Sequence, residues 1–354
     1  MIYELRQGGA ERFVVNLANE LAGNGHDVTI LTLIKDKETN IFNKQFVSDR
    51  VKYESMGFER GFTIGKVSQV CRKIKKINPD IVHCNLNVIP YIFPAALGGK
   101  IKFVHTIHNL AQYATGGKLQ SAINRWFYKT GKIIPVTISD QCQESFSDFY
   151  KLPEPVKIDN GASMVVKTPG FEITSEEISS YKTTDRTKVF LHMARCSEQK
   201  NQQLLVSSFN KIVEEGADAI LLIIGADFDS EMGQSLKKQA CGNIHFLGLK
   251  PNVPDYLLNA DVFTLSSIYE GLPLSLLEAL SAGVTPVCTP VGGIPDVIQD
   301  GIIGYLSKDD SVNSFAKTLR MAYDKPIKPE ILKKHFEDNF SMAKCASAYE
   351  KLYT

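Results

Sequence analysis

Glu270 and Glu278 stand eight residues apart in the run Glu270-Gly271-Leu272-Pro273-Leu274-Ser275-Leu276-Leu277-Glu278. Tyr269-Glu270-Gly271 reads as a loop, and Pro273 suits a first helical turn, where its missing N–H would have no partner anyway. Leu274, Leu277 and Leu280 continue at near-helical spacing. Glu270 is therefore expected just outside a helix and Glu278 about one and a half turns inside it. Between them lie the orphan backbone N–H groups of a helix start, where anions bind well. A carboxylate accepts hydrogen bonds from two neighbouring hydroxyls at once. Two carboxylates flanking an anion site thus suit a sugar nucleotide, with hydroxyls at each end and phosphate between. Alone, the run reads equally well as a helix-start glutamate plus a surface one.

Further segments bear on the same chemistry. Ala194-Arg195-Cys196-Ser197-Glu198-Gln199-Lys200-Asn201 follows a strand and puts a guanidinium and an ammonium on one loop. Two such cations neutralise a diphosphate without a metal. Gln7-Gly8-Gly9-Ala10-Glu11-Arg12 opens a helix with two glycines, which lets phosphate or sugar approach the backbone. By itself a plain tight turn is the stronger reading there. Asn160-Gly161 closes the first half, and Val291-Gly292-Gly293-Ile294-Pro295-Asp296-Val297-Ile298 is a glycine turn leading to a helix.

Two patterns suggest metal and are read against it. Asp227-Phe228-Asp229 is a D-x-D run, but Arg195 and Lys200 would make a metal redundant. His83, Cys84, His105 and His108 lack the short ligand spacings of zinc sites. His105 reads as a satisfied core residue. His83 and Asn85 are placed at the carboxyl end of a strand, where they could face an acceptor.

These residues need elements to hold them, and the sequence alternates strand and helix throughout, the pattern of parallel sheets covered by helices. Ala10–Gly23 is a helix with Phe13, Leu17 and Leu21 on one face, and Val28–Leu33, Asp80–His83, Lys102–Ile107 and Ile133–Ile138 are strands. A polar stretch from Lys167 to Lys188 reads as a linker or loop-rich entry to a second domain. Alternation then resumes with strands at Val189–Met193, Ala219–Ile224, Ile244–Leu247, Val262–Leu265 and Pro286–Cys288. A last helix, Phe336–Leu352, is expected to return to the first domain. The expected fold is α/β, with two Rossmann-like doubly wound parallel-sheet domains facing across a cleft: residues 1–166, 167–335, and a returning helix at 336–354. Ligands in such sheets bind beyond the carboxyl ends of the strands, so the cleft is the default site.

Composition narrows the class. A chain of 354 residues with net charge +1 has no global field that would argue for nucleic acid. Seven scattered cysteines without a CxxC, and no signal peptide, read as reduced thiols in a cytoplasmic protein. No apolar run reaches transmembrane length. Lys66, Arg72, Lys73, Lys75 and Lys76 cluster on one helix; a solvated face is the first reading, and a peripheral contact with anionic lipid the second.

Taken in order, GGAER near the start, TIHN at Thr106–Asn109, DNG at Asp159–Gly161, ARCSEQKN, the E-x7-E run and VGGIPDVI resemble family 4 glycosyltransferases of the GT-B fold over nearly the whole chain. The resemblance implies transfer of a sugar from a nucleotide diphosphate donor with retention of configuration and no divalent metal or other cofactor. It implies catalytic roles for Glu270, His108, Arg195 and Lys200. Arg195 and Lys200 would hold the diphosphate, Glu278 the ribose hydroxyls, and Glu270 the donor sugar. Gly271, Leu272, Pro273, Leu274 and Ser275 would line the donor, Leu249 would meet the base, and Gly8 and Gly9 would face the donor phosphate and acceptor. The implied acceptor is a glycan or lipid-linked sugar in surface polysaccharide or glycoconjugate synthesis of a bacterial kind. A UDP-sugar is favoured as donor over a GDP-sugar, and the protein would be cytoplasmic, at or near the inner membrane face.

The chain departs from the pattern where Ala194 replaces the usual glycine before the arginine, and where Asp296 follows GGIP instead of Glu. A full strand should also precede the GG turn; only Met1–Leu5 does, so a very short first strand or a truncated chain is expected. Other readings are a UDP-sugar epimerase of the same fold and a non-catalytic sugar-nucleotide-binding partner subunit.

Overall fold

A computed structural model describes residues 1–354 and divides them into two compact units. Unit 1 comprises Met1–Ala162 with Met342–Thr354, and unit 2 comprises Ser163–Ser341. No helix is long and apolar enough to cross a membrane.

Unit 1 holds β1 (Thr29–Ile34), β2 (Lys52–Phe58), β3 (Ile81–Asn85), β4 (Lys102–Ile107), β5 (Ile134–Thr137) and β6 (Val156–Lys157). The pairs β1–β2, β3–β4, β4–β5 and β5–β6 are all parallel. The segment Met1–Tyr3 lies between β1 and β3. Ile2 N–H donates to Leu31 O at 3.1 Å on one side, and Asn85 N–H donates to Met1 O at 3.0 Å on the other. The expected first strand is thus a single parallel bridge, Ile2 to Thr32. The GG turn follows it directly, opening α1 (Gly9–Gly23), whose Phe13, Leu17 and Leu21 are buried.

The later helices α2 (Ile64–Ile77), α3 (Ile89–Leu97) and α4 (Lys118–Lys129) form a layer in which α2 packs on α3 and α3 on α4. The helix Met342–Tyr353 packs on α1. It is tied in by Tyr349 to Thr106 at 2.7 Å and Tyr353 to His83 at 2.8 Å.

Unit 2 is one six-stranded sheet. Its strands are β7 (Lys188–Met193), β8 (Ala219–Ile224), β9 (Ile244–Gly248), β10 (Val262–Leu265), β11 (Thr285–Cys288) and β12 (Tyr305–Leu306), in the spatial order β12-β11-β10-β7-β8-β9. Every pairing is parallel. The continuous apolar run of β8 is buried along its whole length, as a strand covered on both faces requires.

Three expectations are corrected. The polar stretch 167–188 contains the helix Phe171–Tyr181, which buries Thr174 and Ile178; so few apolar residues hide its period. Phe336–Leu352 is two helices, Pro329–Asn339 and Met342–Tyr353, parted at the buried Phe340. The first belongs to unit 2 and only the second to unit 1. The strand β2 was not expected at all: mostly accessible and carrying Lys52 and Glu54, it lacks an apolar signature.

Candidate functional site

In unit 2 three loops beyond the carboxyl ends of β7, β10 and β11 are laced together. Ile268 N–H donates to Gln199 O at 2.8 Å, and the Gln199 amide to Tyr269 O at 3.0 Å. The buried Ser266 hydroxyl donates to Lys200 O at 3.0 Å. This lacing brings the Lys200 ammonium to the Glu270 carboxylate, 2.5 Å from Oε1. The buried Ser267 hydroxyl donates to the same oxygen, also at 2.5 Å. Both contacts load Oε1, and Oε2 keeps no protein partner.

The third loop seats the second. Gly293 N–H donates to Gly271 O at 2.6 Å and the Thr289 hydroxyl to Ser267 O at 2.6 Å. Gly292 has φ +61°, and a Cβ there would lie 2.2 Å from Glu270 O. Only glycine fits both the backbone angle and the close approach.

Arg195 follows β7 and is itself exposed, and its carbonyl accepts from the Gln202 amide at 2.9 Å. A side chain on Gly225, at the end of β8, would collide with Ala194 O at 1.9 Å, so that glycine lets the Arg195 loop close down.

The helix carrying Glu278 spans Leu274–Ala282, with Pro273 as its N-cap and not inside its first turn. Leu276, Leu277, Ala279 and Leu280 are buried, while Ser275 and Glu278 are half-buried. Leu249 is 50% exposed after Gly248, whose φ is +67°. Lys250 is tied to Glu177 at 2.9 Å. Of the D-x-D run, Asp229 pairs with Lys237 at 3.1 Å. No three His, Cys, Asp or Glu side chains gather as a metal site.

In unit 1, Gly8 caps α1, and Arg12 N–H donates to Gly8 O at 3.0 Å. The Glu11 carboxylate tucks in beside the turn: a Cβ on Gly8 would stand 2.2 Å from Glu11 Oε2. Burial pushes the Glu11 carboxyl up, against the pull of Arg6 at 3.2 Å. The buried Glu4 carboxylate holds Arg60 at 3.0 Å.

His108 follows β4. Its Nε2 lies 2.8 Å from Asn85 Oδ1. A carbonyl oxygen only accepts, so Nε2 carries the proton and Nδ1 presents a lone pair. That Nδ1 is buried without a partner, and burial pushes the ring's pKa down to about 3, so the ring stays neutral.

His83 is a correction. It stands in the middle of β3, not at its end, with Nδ1 on Tyr353 OH at 2.8 Å and Nε2 on Thr106 Oγ1 at 2.7 Å. Both nitrogens serve the anchoring of the last helix, which leaves neither for an acceptor. Asn85 does end the strand, where it orients His108. His105 is buried between Tyr128 OH and Leu86 O.

Unit 2 thus assembles Lys200, Glu270, Gly271 and the Leu274 helix start, with Arg195 on the loop that carries Lys200. Unit 1 gathers Gly8, Gly9, Asn85 and His108 at the carboxyl ends of its strands. Sequence reasoning missed Ser267, Thr289, Glu4 and Glu11. Only Glu11 left a trace, as the third residue of a glycine-capped helix, a position where a carboxylate reaches back to the cap.

Residues 174–338 match the profile described as glycosyl transferases group 1, and residues 7–162 that described as glycosyltransferase family 4. The chain belongs to the family 4 glycosyltransferases. It is 25% identical to an N-acetyl-alpha-D-glucosaminyl L-malate synthase of Bacillus anthracis over 98% of this chain and 93% of that one. It is 26% identical to a UDP-Gal:alpha-D-GlcNAc-diphosphoundecaprenol alpha-1,3-galactosyltransferase of Escherichia coli over 72% of this chain and 69% of that one. Among solved structures, a glycosyltransferase of Rickettsia africae superposes with TM-score 0.81 at 18% identity, covering 98% of this chain and 94% of that one. Anabaena HepE in complex with UDP and glucose superposes with TM-score 0.79 at 14% identity, over 99% and 97% of the two chains. The fold is GT-B.

Proposed function

We propose that this glycosyltransferase moves a sugar from a UDP-sugar to a glycan or lipid-linked sugar acceptor in glycoconjugate synthesis, with retention and without a divalent metal. The observation that carries the reading is the Glu270 carboxylate, fixed through Oε1 by Lys200 and Ser267 with Oε2 left over. A carboxylate so held binds a sugar hydroxyl in one geometry, beside the cation that a diphosphate needs.

In the reaction the anomeric C–O bond to the diphosphate breaks, a bond to the acceptor hydroxyl oxygen forms, and the hydroxyl proton leaves on the diphosphate. Negative charge grows on the leaving group, where Arg195 and Lys200 stabilise it. Positive charge grows on the sugar ring, toward which Glu270 presents Oε2. His108 stays neutral and presents an acceptor lone pair to a sugar hydroxyl. Glu278, on the accessible side of its helix, takes the ribose hydroxyls, and Leu249 meets the base.

UDP is favoured because the Escherichia coli relative is named for UDP-Gal and the Anabaena structure holds UDP. Calorimetry of UDP and GDP in the presence of a chelator tests the donor side. UDP binding that Glu278→Ala abolishes supports the reading; binding only when a divalent ion is added overturns metal independence. An NMR assignment of the product anomer tests retention.

A further inference from the structure

The net charge of +1 conceals a division. Residues 61–139 contain eleven Lys and Arg and a single acid, Asp80, so this stretch carries +10 and the rest of the chain −9. It supplies α2, α3 and α4, the helix layer of unit 1. Four of these cations serve the fold, among them Arg125, whose Nε donates to Tyr150 O at 2.6 Å. Lys66 caps the Glu59 and Gly61 carbonyls, Lys73 pairs with Glu54, and Lys102 holds the carbonyls of Leu352 and Tyr353. Arg72, Lys75 and Lys76 on α2, with Lys118 and Lys129 on α4, stand exposed and form no ion pair.

The same layer exposes large apolar side chains that a solvated face would not need. Ile64 is 83% exposed at the start of α2, Leu119 79% at the start of α4, and Trp126 49% farther along α4. Phe93 and Leu97 of α3 are also exposed. Gln69, Arg72, Lys73 and Lys76 recur at helical spacing and line an open pocket against Met56 of β2. Guanidinium, ammonium and amide donors there match a phosphodiester.

We infer that the α2–α3–α4 layer of unit 1 docks on an anionic phospholipid bilayer. Clustered cations attract anionic headgroups, aliphatic side chains enter the acyl boundary, and a tryptophan prefers the interface. Nucleic acid would meet the same charge, but exposed Ile64 and Leu119 offer it nothing. The inference deepens the proposed reaction, because a lipid-linked acceptor would be met at that surface, and it is tested without any donor.

Trp126 is the one tryptophan in the chain, so its emission reports directly on this layer. The full chain is mixed with phosphatidylcholine vesicles, with and without phosphatidylglycerol, and followed by flotation and by Trp emission. The expected result is co-flotation and a blue shift with the anionic vesicles only. Arg72→Gln/Lys75→Gln/Lys76→Gln should weaken binding on the order of 100-fold, at about a factor of five per lost cation. Leu119→Ser should reduce flotation while leaving the melting temperature and UDP binding intact. Equal binding to neutral vesicles, an unshifted Trp126, or binding to single-stranded RNA in place of vesicles would overturn it. UDP binding is read separately, so failure of docking leaves the donor reading standing, and the reverse.

Discussion

Lys200 Nζ and Glu270 Oε1 meet at 2.5 Å, with side chains 18% and 7% exposed. The cation proposed for the diphosphate is thus paired with the carboxylate proposed for the sugar. Entering phosphate would compete with Oε1 for that ammonium, while the Ser267 hydroxyl keeps the carboxylate oriented toward the sugar. Binding and chemistry should therefore respond oppositely to one change.

Glu270→Gln leaves Lys200 without its anionic partner. UDP should bind as tightly or up to about tenfold more tightly, while turnover of a UDP-sugar falls about 100-fold or more. Lys200→Ala should instead weaken UDP binding. It should also cost about 3 kcal/mol of stability, because a buried carboxylate loses its partner. Calorimetry together with turnover separates the two; parallel loss of both in Glu270→Gln would refute the competition.

Ser267→Ala removes the hydroxyl that fixes the orientation of Glu270 but keeps the Lys200 pair. The expected effect is a fall in kcat of about tenfold with the KM for donor little changed. Ser267→Thr, which restores a hydroxyl, should recover most of the loss. A change confined to KM would place Ser267 outside the positioning of Glu270.

Gly292→Ala forces a Cβ toward Glu270 O at a residue with φ +61°. It should destabilise unit 2 by about 3 kcal/mol and displace the Glu270-Gly271 turn. Gly293→Ala, where φ is −80°, is the milder comparison. Equal melting temperatures for the two variants would show that the close approach does not matter.

What was legible in the sequence follows from these contacts. Strands such as β8 announce themselves because burial on both faces requires an unbroken apolar run. The Glu270–Glu278 run was legible as a loop leading into a helix, because Pro273 and the leucine spacing mark that start. Ser267 and Thr289 were not, since a hydroxyl that aims a carboxylate looks like any loop serine or threonine. His83 misled because a histidine near a strand end resembles a site residue, and its tyrosine partners lie 266 and 270 positions later. The basic layer was invisible to net charge, which sums over a molecule whose parts differ in sign.

Stability should depend on pH through neutral buried histidines. Burial pushes His105 and His192 down to about 4 and His108 to about 3. The unfolded chain takes up a proton on each ring as pH falls through about 6.5, while the folded chain does not. The unfolded state thus binds more protons between about pH 6.5 and 4, so stability is full above that window and declines within it, by up to several kcal/mol. Denaturant titrations at about pH 7.5, 6 and 5 measure the slope. His192→Gln should flatten it in unit 2 and His105→Gln in unit 1; a pH-independent midpoint would contradict the neutral assignment.

The last helix ties Tyr353 to His83 across 270 positions of chain, with all of unit 2 between them. During synthesis, every residue of unit 2 leaves the ribosome before the segment that completes unit 1. Unit 2 can therefore mature while unit 1 still waits with Phe13 and His83 uncovered. The late-arriving helix makes unit 1 the slower half to mature, and the half whose nascent state most needs shielding from aggregation.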